Sequence, residues 1–376
     1  MLHLPPVYRP SRHVRQRPSV RNKNPGREPL GMPSLPSPIV LKTEPLAEDH
    51  LPAEFLGRTR ELQEVMIIVG DRRPGRSPTL WLHGPPGTGK TSVAKRLLGV
   101  AEERHIRTAY VNCWSAQTFY AALEAVFSEL RALVGEVRDV AFKFERLVQI
   151  ARRHQLAIVL DEFDQMPPKE RNATLYNLVR LPSASLLCLA QSREAFLTLD
   201  PRVQSRVQPT FVEFLPFSVE ELTAILEARA AQSLLPESFC AADLQRIASS
   251  SHGDARVAIQ SLRTAAYLAE KVRAAQIRVS DIEAGLQKSV EIRRHYVIRG
   301  LSEHHRLIYR LVLDAGGSLA TPETWKRYVV AAEENKLDVM KRRTFTHYKQ
   351  FLITSRLLRE RQGRGRKNTR VLEVVS

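Results

Sequence analysis

The 376-residue sequence holds three cysteines, Cys113, Cys188 and Cys240, and they stand too far apart for any metal-ligand spacing. An odd, scattered set excludes a disulfide framework and reads as core filler in a reducing compartment. No apolar run approaches the roughly 18 to 20 residues that a membrane helix needs. The first stretch, MLHLPPVYRPSRHVRQRP, lacks the apolar segment of a secretory signal. These absences predict a soluble protein of the cytoplasm, associated with the nucleoid and without a membrane partner. Acidic residues are scarce too, with 40 Asp and Glu against 57 Lys and Arg and a formal charge of +17. That balance favours a polyanionic partner, nucleic acid first. Arginine spread over solvated faces is the plain alternative, and the placement of the charge decides between them.

A hydrophobic share of 43% is enough for a sizeable core, and the length predicts two or three folded units. Residues 1–45 are rich in Pro and Arg and carry neither helical nor strand periodicity, as expected of a disordered basic arm. Up to position 30, Arg9, Arg12, Arg15, Arg17, Arg21, Lys23 and Arg27 meet only Glu28 as counter-charge. Two readings of the arm stand side by side: a phosphate-contacting arm and a plain solvated tail.

Beyond residue 45 the pattern changes. Gly57 to Val69 has apolar residues at helical spacing, and the short apolar strand Thr79 to His83 runs into GPPGTGKT. Further apolar strands are predicted at Thr108 to Trp114, Leu156 to Leu160, Leu186 to Ala190 and Phe211 to Leu215. Helices are predicted at Ser92 to Glu103, from Thr118 to about Leu133, and from about Phe142 to His154. Short apolar runs alternating with helices predict an α/β unit with a parallel sheet covered on both faces. After Pro216 the strands stop, and residues 218 to about 290 read as amphipathic helices. From about Leu301 the order is helix, helix, longer helix and short hairpin, the winged-helix pattern.

Gly84-Pro85-Pro86-Gly87-Thr88-Gly89-Lys90-Thr91, followed by Ser92, is a complete GxxxxGK[ST] phosphate loop between a strand and a helix. Its glycines let successive backbone N–H groups turn toward phosphates at a positive helix end. Lys90 is placed to reach the β- and γ-phosphates of ATP, and the Thr91 hydroxyl to hold Mg2+. Asp161 and Glu162 directly follow the apolar strand Leu156 to Leu160. A carboxylate there can hold the Mg2+ shell, which falls to Asp161, while Glu162 can act as base on the attacking water.

These residues and the helical segment behind them resemble the AAA+ ATPases, over about residues 50 to 290. In Gly253-Asp254-Ala255-Arg256, the resemblance makes Arg256 the lid arginine that senses the γ-phosphate. A surface arginine in the first turn of a helix is the ordinary alternative. Arg206, and after it Arg202, match the region that supplies an arginine finger to a neighbouring subunit. Plain solvated side chains are the alternative there. One position departs from the pattern: the strand Leu186 to Ala190 is followed by Gln191 and Ser192 where the family usually has Asn. Gln offers the same amide from a longer side chain, which implies slow hydrolysis with binding intact.

Within the AAA+ proteins, AYVNCWSAQTFYAALEAVFSEL, LDPRVQSRV and HGDARVAIQSLRTAAYLAE are similar to the archaeal origin-recognition initiators. The winged helix extends that similarity over nearly everything after residue 45. It implies an ATPase that binds duplex origin DNA, recruits or loads the replicative helicase, and touches other initiator subunits through Arg206. The segment from Trp114 to His154 sits where the family inserts DNA-contacting helices, although most of its residues read as core. The implied divisions are 1–45, the basic arm; 46–216, the AAA+ P-loop NTPase unit; 217–295, the helical lid; and 296–376, the winged helix.

The C-terminal residues point to DNA by themselves. In KRRTFTHYKQFLITSRLL, Phe345, Tyr348, Phe351 and Leu352 share one helical face, and Arg343, Thr346, His347 and Gln350 share the opposite one. Arg and Gln can pair bidentately with guanine and adenine edges in the major groove. An ordinary solvated face would be polar as well. In the hairpin, Arg359, Arg361, Arg364, Arg366, Lys367 and Arg370 bracket Gly363-Arg364-Gly365, with Glu360 as nearby counter-charge. This cluster predicts an external anion, and DNA phosphates would supply it. Two other functions fit parts of the sequence: a DNA-binding regulator with structural nucleotide, and a clamp-loader-like remodelling ATPase.

Overall fold

Alternation along the apolar strands decides the architecture of the first unit. In the computed structural model, which describes residues 38–52, 55–70, 78–132, 139–362 and 370–375, five strands form one parallel sheet in the order β2-β3-β4-β1-β5. They are β1 (Thr79–His83), β2 (Arg107–Asn112), β3 (Leu156–Asp161), β4 (Ala184–Ala190) and β5 (Thr210–Glu213). Successive side chains of a strand leave on opposite faces, so a strand buried on both sides must be apolar throughout. In β3, Ile158 and Leu160 pack on one face and Ala157 and Val159 on the other. The first face is covered by α3 (Phe119–Glu129), α4 (Val140–Arg153) and α5 (Pro168–Leu178). The second is covered by α1 (Thr59–Gly70) and α2 (Lys90–Glu103). Two short helices, α6 (Glu194–Leu197) and α7 (Pro201–Val207), join β4 to β5.

A capping box starts the helical unit: Ser218 Oγ accepts the Glu221 N–H while the Glu221 carboxylate accepts the Ser218 N–H. It opens α8 (Val219–Ser233), which precedes α9 (Ala241–Ser251), α10 (Ala255–Lys271) and α11 (Val279–Gly300). Their shared core includes Leu222, Leu226, Leu262 and Ile282. Residues 38–45, expected within the arm, pack here: Ile39 and Leu46 are each 1% exposed in this core, and Val40 bridges to Leu234. The apolar Ile39-Val40-Leu41 explains the anchoring, since it sits in an otherwise polar run. Residues 1–37, with all seven basic residues of the arm, lie outside the described residues.

The C-terminal unit is a winged helix: α12 (Glu303–Asp314), β6 (Ser318–Ala320), α13 (Thr321–Glu334), α14 (Arg342–Thr354), β7 (Leu358–Gln362) and β8 (Arg370–Val374). The three strands pair antiparallel in the order β6-β8-β7 over Ile308, Tyr328, Phe345 and Leu352. The fold is thus the expected AAA+ α/β unit with helical lid and winged helix. Position 295, where the sequence divides lid from winged helix, falls inside α11.

Candidate functional site

The phosphate loop leaves the end of β1, between β4 and β5, and feeds directly into α2. Gly84 must be glycine, because a Cβ there would lie 2.1 Å from the Phe214 carbonyl oxygen. Gly87 has φ +77°, and a Cβ would meet the Asp254 carboxylate oxygen at 2.0 Å. The lid therefore touches the phosphate loop by close approach, and the Ala255 N–H donates to the Gly87 carbonyl at 3.1 Å. Lys90 Nζ donates to the carbonyls of Gly84 (2.6 Å) and Pro85 (2.8 Å), folding its ammonium back over the loop. Burial pulls that ammonium down to about 8, and Asp164 opposes the fall. Thr88 is buried, and its hydroxyl closes the loop on Pro85 at 2.8 Å.

Asp161 ends β3 facing Thr91. The Thr91 hydroxyl donates to Asp161 Oδ2 at 2.8 Å, and the Tyr110 hydroxyl donates to the same oxygen at 2.6 Å. Two hard oxygen donors meet at one point, the donor chemistry that Mg2+ prefers. Glu162 follows in the left-handed region at φ +52°. Burial, and then the neighbouring Asp161 charge, raises the Glu162 carboxyl above its ordinary value. Gln191 and Arg256 line the same cavity of about 530 Å3 as the loop, Asp161 and Glu162. Pro86, Gly89 and Ser92 line it as well, and so do Glu48, Arg58 and Asp164. Arg256 Nε pairs with Glu48 at 3.3 Å.

Arg202 and Arg206 stand apart from this cavity. Both are exposed on α7, and the Arg206 guanidinium lies 5.2 Å from the Tyr176 ring centre. Asp200 caps that helix through the Arg202 N–H at 2.8 Å, which fixes the face that both arginines share with solvent.

Sequence reasoning missed several residues here. Arg58 is 5% exposed and donates to the Thr88 carbonyl (2.9 Å) and the Leu215 carbonyl (2.5 Å). Its guanidinium stacks 3.8 Å from the Phe217 ring centre, so one side chain ties the phosphate loop to the lid hinge. Tyr110 and Asp164 were missed as well. The signal for Tyr110 is the β2–β3 register, which sets Asn112 beside Asp161, and it exists only once the strands are paired.

On the C-terminal unit, α14 buries Phe345 and Leu352 and half-buries Tyr348 and Phe351, while Arg343, Thr346, His347 and Gln350 are exposed. The hairpin corrects the expectation that its cations have no partner but Glu360. Arg359 pairs with Glu373 at 3.0 Å, Arg361 also pairs with Glu373, and Arg370 pairs with Glu360 at 3.1 Å. Lys349 of α14 reaches Glu360 at 2.6 Å. Strand pairing is the reason: Arg359 stands directly across from Glu373, far away in sequence but adjacent in the sheet. Arg364, Arg366 and Lys367 lie outside the described residues. The cysteines also divide: Cys113 and Cys188 are core, but Cys240 is exposed. Among the described residues no helix is long and apolar enough to cross a membrane, and no cluster of three potential metal ligands occurs.

Comparison with known proteins agrees with this geometry. Residues 54–190 match the AAA ATPase domain family, and residues 223–287 match the Cdc6 AAA+ ATPase-type lid domain. The ORC1-type DNA replication protein of Cenarchaeum symbiosum is 30% identical over 315 residues, covering 77% of this chain and 77% of that one. ORC1-type DNA replication protein 1 of Aeropyrum pernix is 29% identical over 323 residues, covering 78% and 81%. Among solved structures, the Aeropyrum pernix ORC1 protein in complex with DNA aligns with a TM-score of 0.61 at 25% identity, covering 90% of this chain and 94% of that one. The Aeropyrum pernix ORC2 protein, solved as ADPNP–ADP complexes, shares the fold with a TM-score of 0.66 at 21% identity, over 90% and 94%. With its phosphate loop, helical lid and winged helix in the expected order, the chain belongs to the ORC1/Cdc6-type family of replication initiators, which are ATP-binding AAA+ ATPases.

Proposed function

We propose that this initiator binds duplex origin DNA through its winged helix and recruits or loads the replicative helicase, under control of a slowly hydrolysed ATP. The observation that carries the reading is α14, whose exposed face presents Arg343, Thr346, His347 and Gln350 from a helix anchored by Phe345 and Leu352. That is a reading head for base edges in the major groove. The Aeropyrum pernix ORC1 protein solved in complex with DNA supports DNA as the partner. In this reading residues 46–216 bind ATP, 217–295 close over it, and 296–376 hold DNA, with the basic arm adding phosphate contacts.

In the nucleotide site, Gly84 to Thr91 would wrap the phosphates with backbone N–H groups, and Lys90 would leave the loop carbonyls for phosphate oxygens. Thr91 and Asp161 would hold Mg2+, which when bound neutralises phosphate charge. Glu162, already raised by burial, would take the proton of the attacking water, and Gln191 would orient that water. The added methylene of Gln over Asn puts its amide further from the strand end, hence slow turnover. Arg256 would exchange Glu48 for the γ-phosphate, and Arg206 would serve a neighbouring subunit. A DNA-binding regulator with structural nucleotide is the second reading, favoured by Gln191.

Genome-wide mapping of binding sites separates the two, since an initiator concentrates at replication origins and a regulator at scattered promoters. Capture of the replicative helicase on origin-bound protein is expected for the first alone. In the nucleotide site, Lys90→Ala should abolish tight ATP binding. Glu162→Gln should keep ATP bound and stop turnover, and equal turnover in that variant and the wild type would remove Glu162 as the base.

A further inference from the structure

Asp164 is a costly residue for the wall of a phosphate cavity. Its Oδ2 accepts the backbone N–H of Gln191 at 3.2 Å. Its Oδ1 is sealed from solvent and has no hydrogen-bond partner among the described residues. A buried carboxylate with one oxygen left without a hydrogen-bond partner costs stability that an apolar side chain would not. Such a group beside a cavity calls for a functional account.

Its neighbours supply one. Gln191 is the first residue after β4 and lines the nucleotide cavity. The segment it opens is held at several points. Trp81 Nε1 donates to the Ser192 carbonyl at 3.5 Å. Arg171 Nη1 reaches the Ala195 carbonyl and Thr198 Oγ1, each at 3.4 Å. The Arg171 guanidinium favours the charged form of Asp164, against the burial that raises its carboxyl above the ordinary value. Within that frame, the Gln191 N–H is tied to Asp164 and to the turn that carries Glu162.

We propose that Asp164 is a positioning residue for ATP hydrolysis, pinning the Gln191 backbone to the turn after β3 so that the Gln191 amide faces the phosphates. The inference rests on the reading of Gln191 as the residue that orients the attacking water. Asp164 lines the cavity and opposes the fall of the Lys90 pKa, but in this proposal its effect on turnover runs through Gln191. Glu162 and Gln191 approach the γ-phosphate from adjacent strands, and the Asp164 link keeps base and amide in register. A misplacement on the order of 1 Å at such a point costs about 100-fold in rate.

The test is a double-mutant cycle on the full-length protein, reading kcat at saturating Mg·ATP and, separately, the Kd for ATP. Asp164→Ala should lower kcat by roughly 10- to 100-fold and leave the Kd for ATP nearly unchanged. Asp164→Asn, whose amide oxygen can still accept the Gln191 N–H, should recover most of the loss. The decisive arm is Asp164→Ala combined with Gln191→Ala, which should be no slower than Gln191→Ala alone. Losses that multiply in the double variant would overturn the proposal, and so would a fall in ATP affinity parallel to the fall in kcat. Asp164→Leu, apolar and with the same branching, serves the same cycle where the alanine variant is too unstable to assay. Wild-type turnover in Gln191→Ala would remove the reading of Gln191 and the proposal with it. A slow Gln191→Ala beside a fast Asp164→Ala would remove the proposal alone.

Discussion

Replacing Arg364, Arg366 and Lys367 by Ala together should flatten the salt dependence of duplex binding far more than replacing the paired arginines of the same hairpin. The structure sets the expected sizes. Arg359 and Arg361 share Glu373, and Arg370 and Lys349 share Glu360, so each carboxylate already offsets part of two cations. An arginine that leaves a carboxylate for a phosphate exchanges one anion for another and gains little. Residues 363–369 contain no acid, and their three cations have no such local partner in sequence. Each phosphate contact contributes a slope of about −0.9 in log affinity against log salt, so the triple variant should lose up to about 2.7 units of slope. Across a change from about 50 to 200 mM salt, that corresponds to roughly 40-fold in affinity. Arg370→Gln should change the slope by well under 0.9 units, the value for a full contact. Gln350→Ala should leave the slope intact and cost about 1 to 3 kcal/mol on preferred sequences alone. The assay is fluorescence anisotropy of a labelled duplex over that salt range, with a preferred and a scrambled sequence. An unchanged slope in the triple variant, or an equal change from Arg370→Gln, would refute the assignment of the phosphate contacts to Arg364, Arg366 and Lys367.

Two other outcomes are expected. Arg206→Ala should leave the ATP affinity of a dilute monomer unchanged, because Arg206 is exposed on α7 and does not line the nucleotide cavity; an affinity loss of about tenfold or more, about 1.4 kcal/mol, would place it in its own site. His305 stacks 4.0 Å from Tyr348, and burial, with His304 alongside, pulls its imidazole down to about 3. The unfolded chain takes up that proton first, near pH 6.5, so the winged helix should be fully stable above that value and weaken as pH falls toward 3. Between about pH 7.5 and 5.0, His305 should contribute about 2 kcal/mol to the pH dependence of urea unfolding, and His305→Phe should remove that share.

What was legible in the sequence was local. Gly84 to Thr91 is contiguous, Asp161 and Glu162 end an apolar run, and Phe345 to Leu352 repeat at helical spacing; each carries its geometry within a few residues. What was hidden was pairing across the chain. Arg58 works on a carbonyl 157 positions away, and Glu373 neutralises arginines on the opposite strand. Tyr110 reaches Asp161 across 51 positions through the order of the sheet. The helix α5 gives little periodic signal although Pro168 suits its first turn, because its apolar residues show little one-sidedness. The strand β6, at three residues, is too short for alternation to register.

The helix α11 runs unbroken for 22 residues from the lid core to the edge of the winged helix. At 1.5 Å per residue it is a rod of about 33 Å. A rod has no joint at which rotation can be absorbed. A tilt of about 10° at the end that packs with α10 would sweep the far end through roughly 6 Å, close to two base-pair steps of DNA. In such a molecule, a small closure of the lid would become a large stroke at the winged helix.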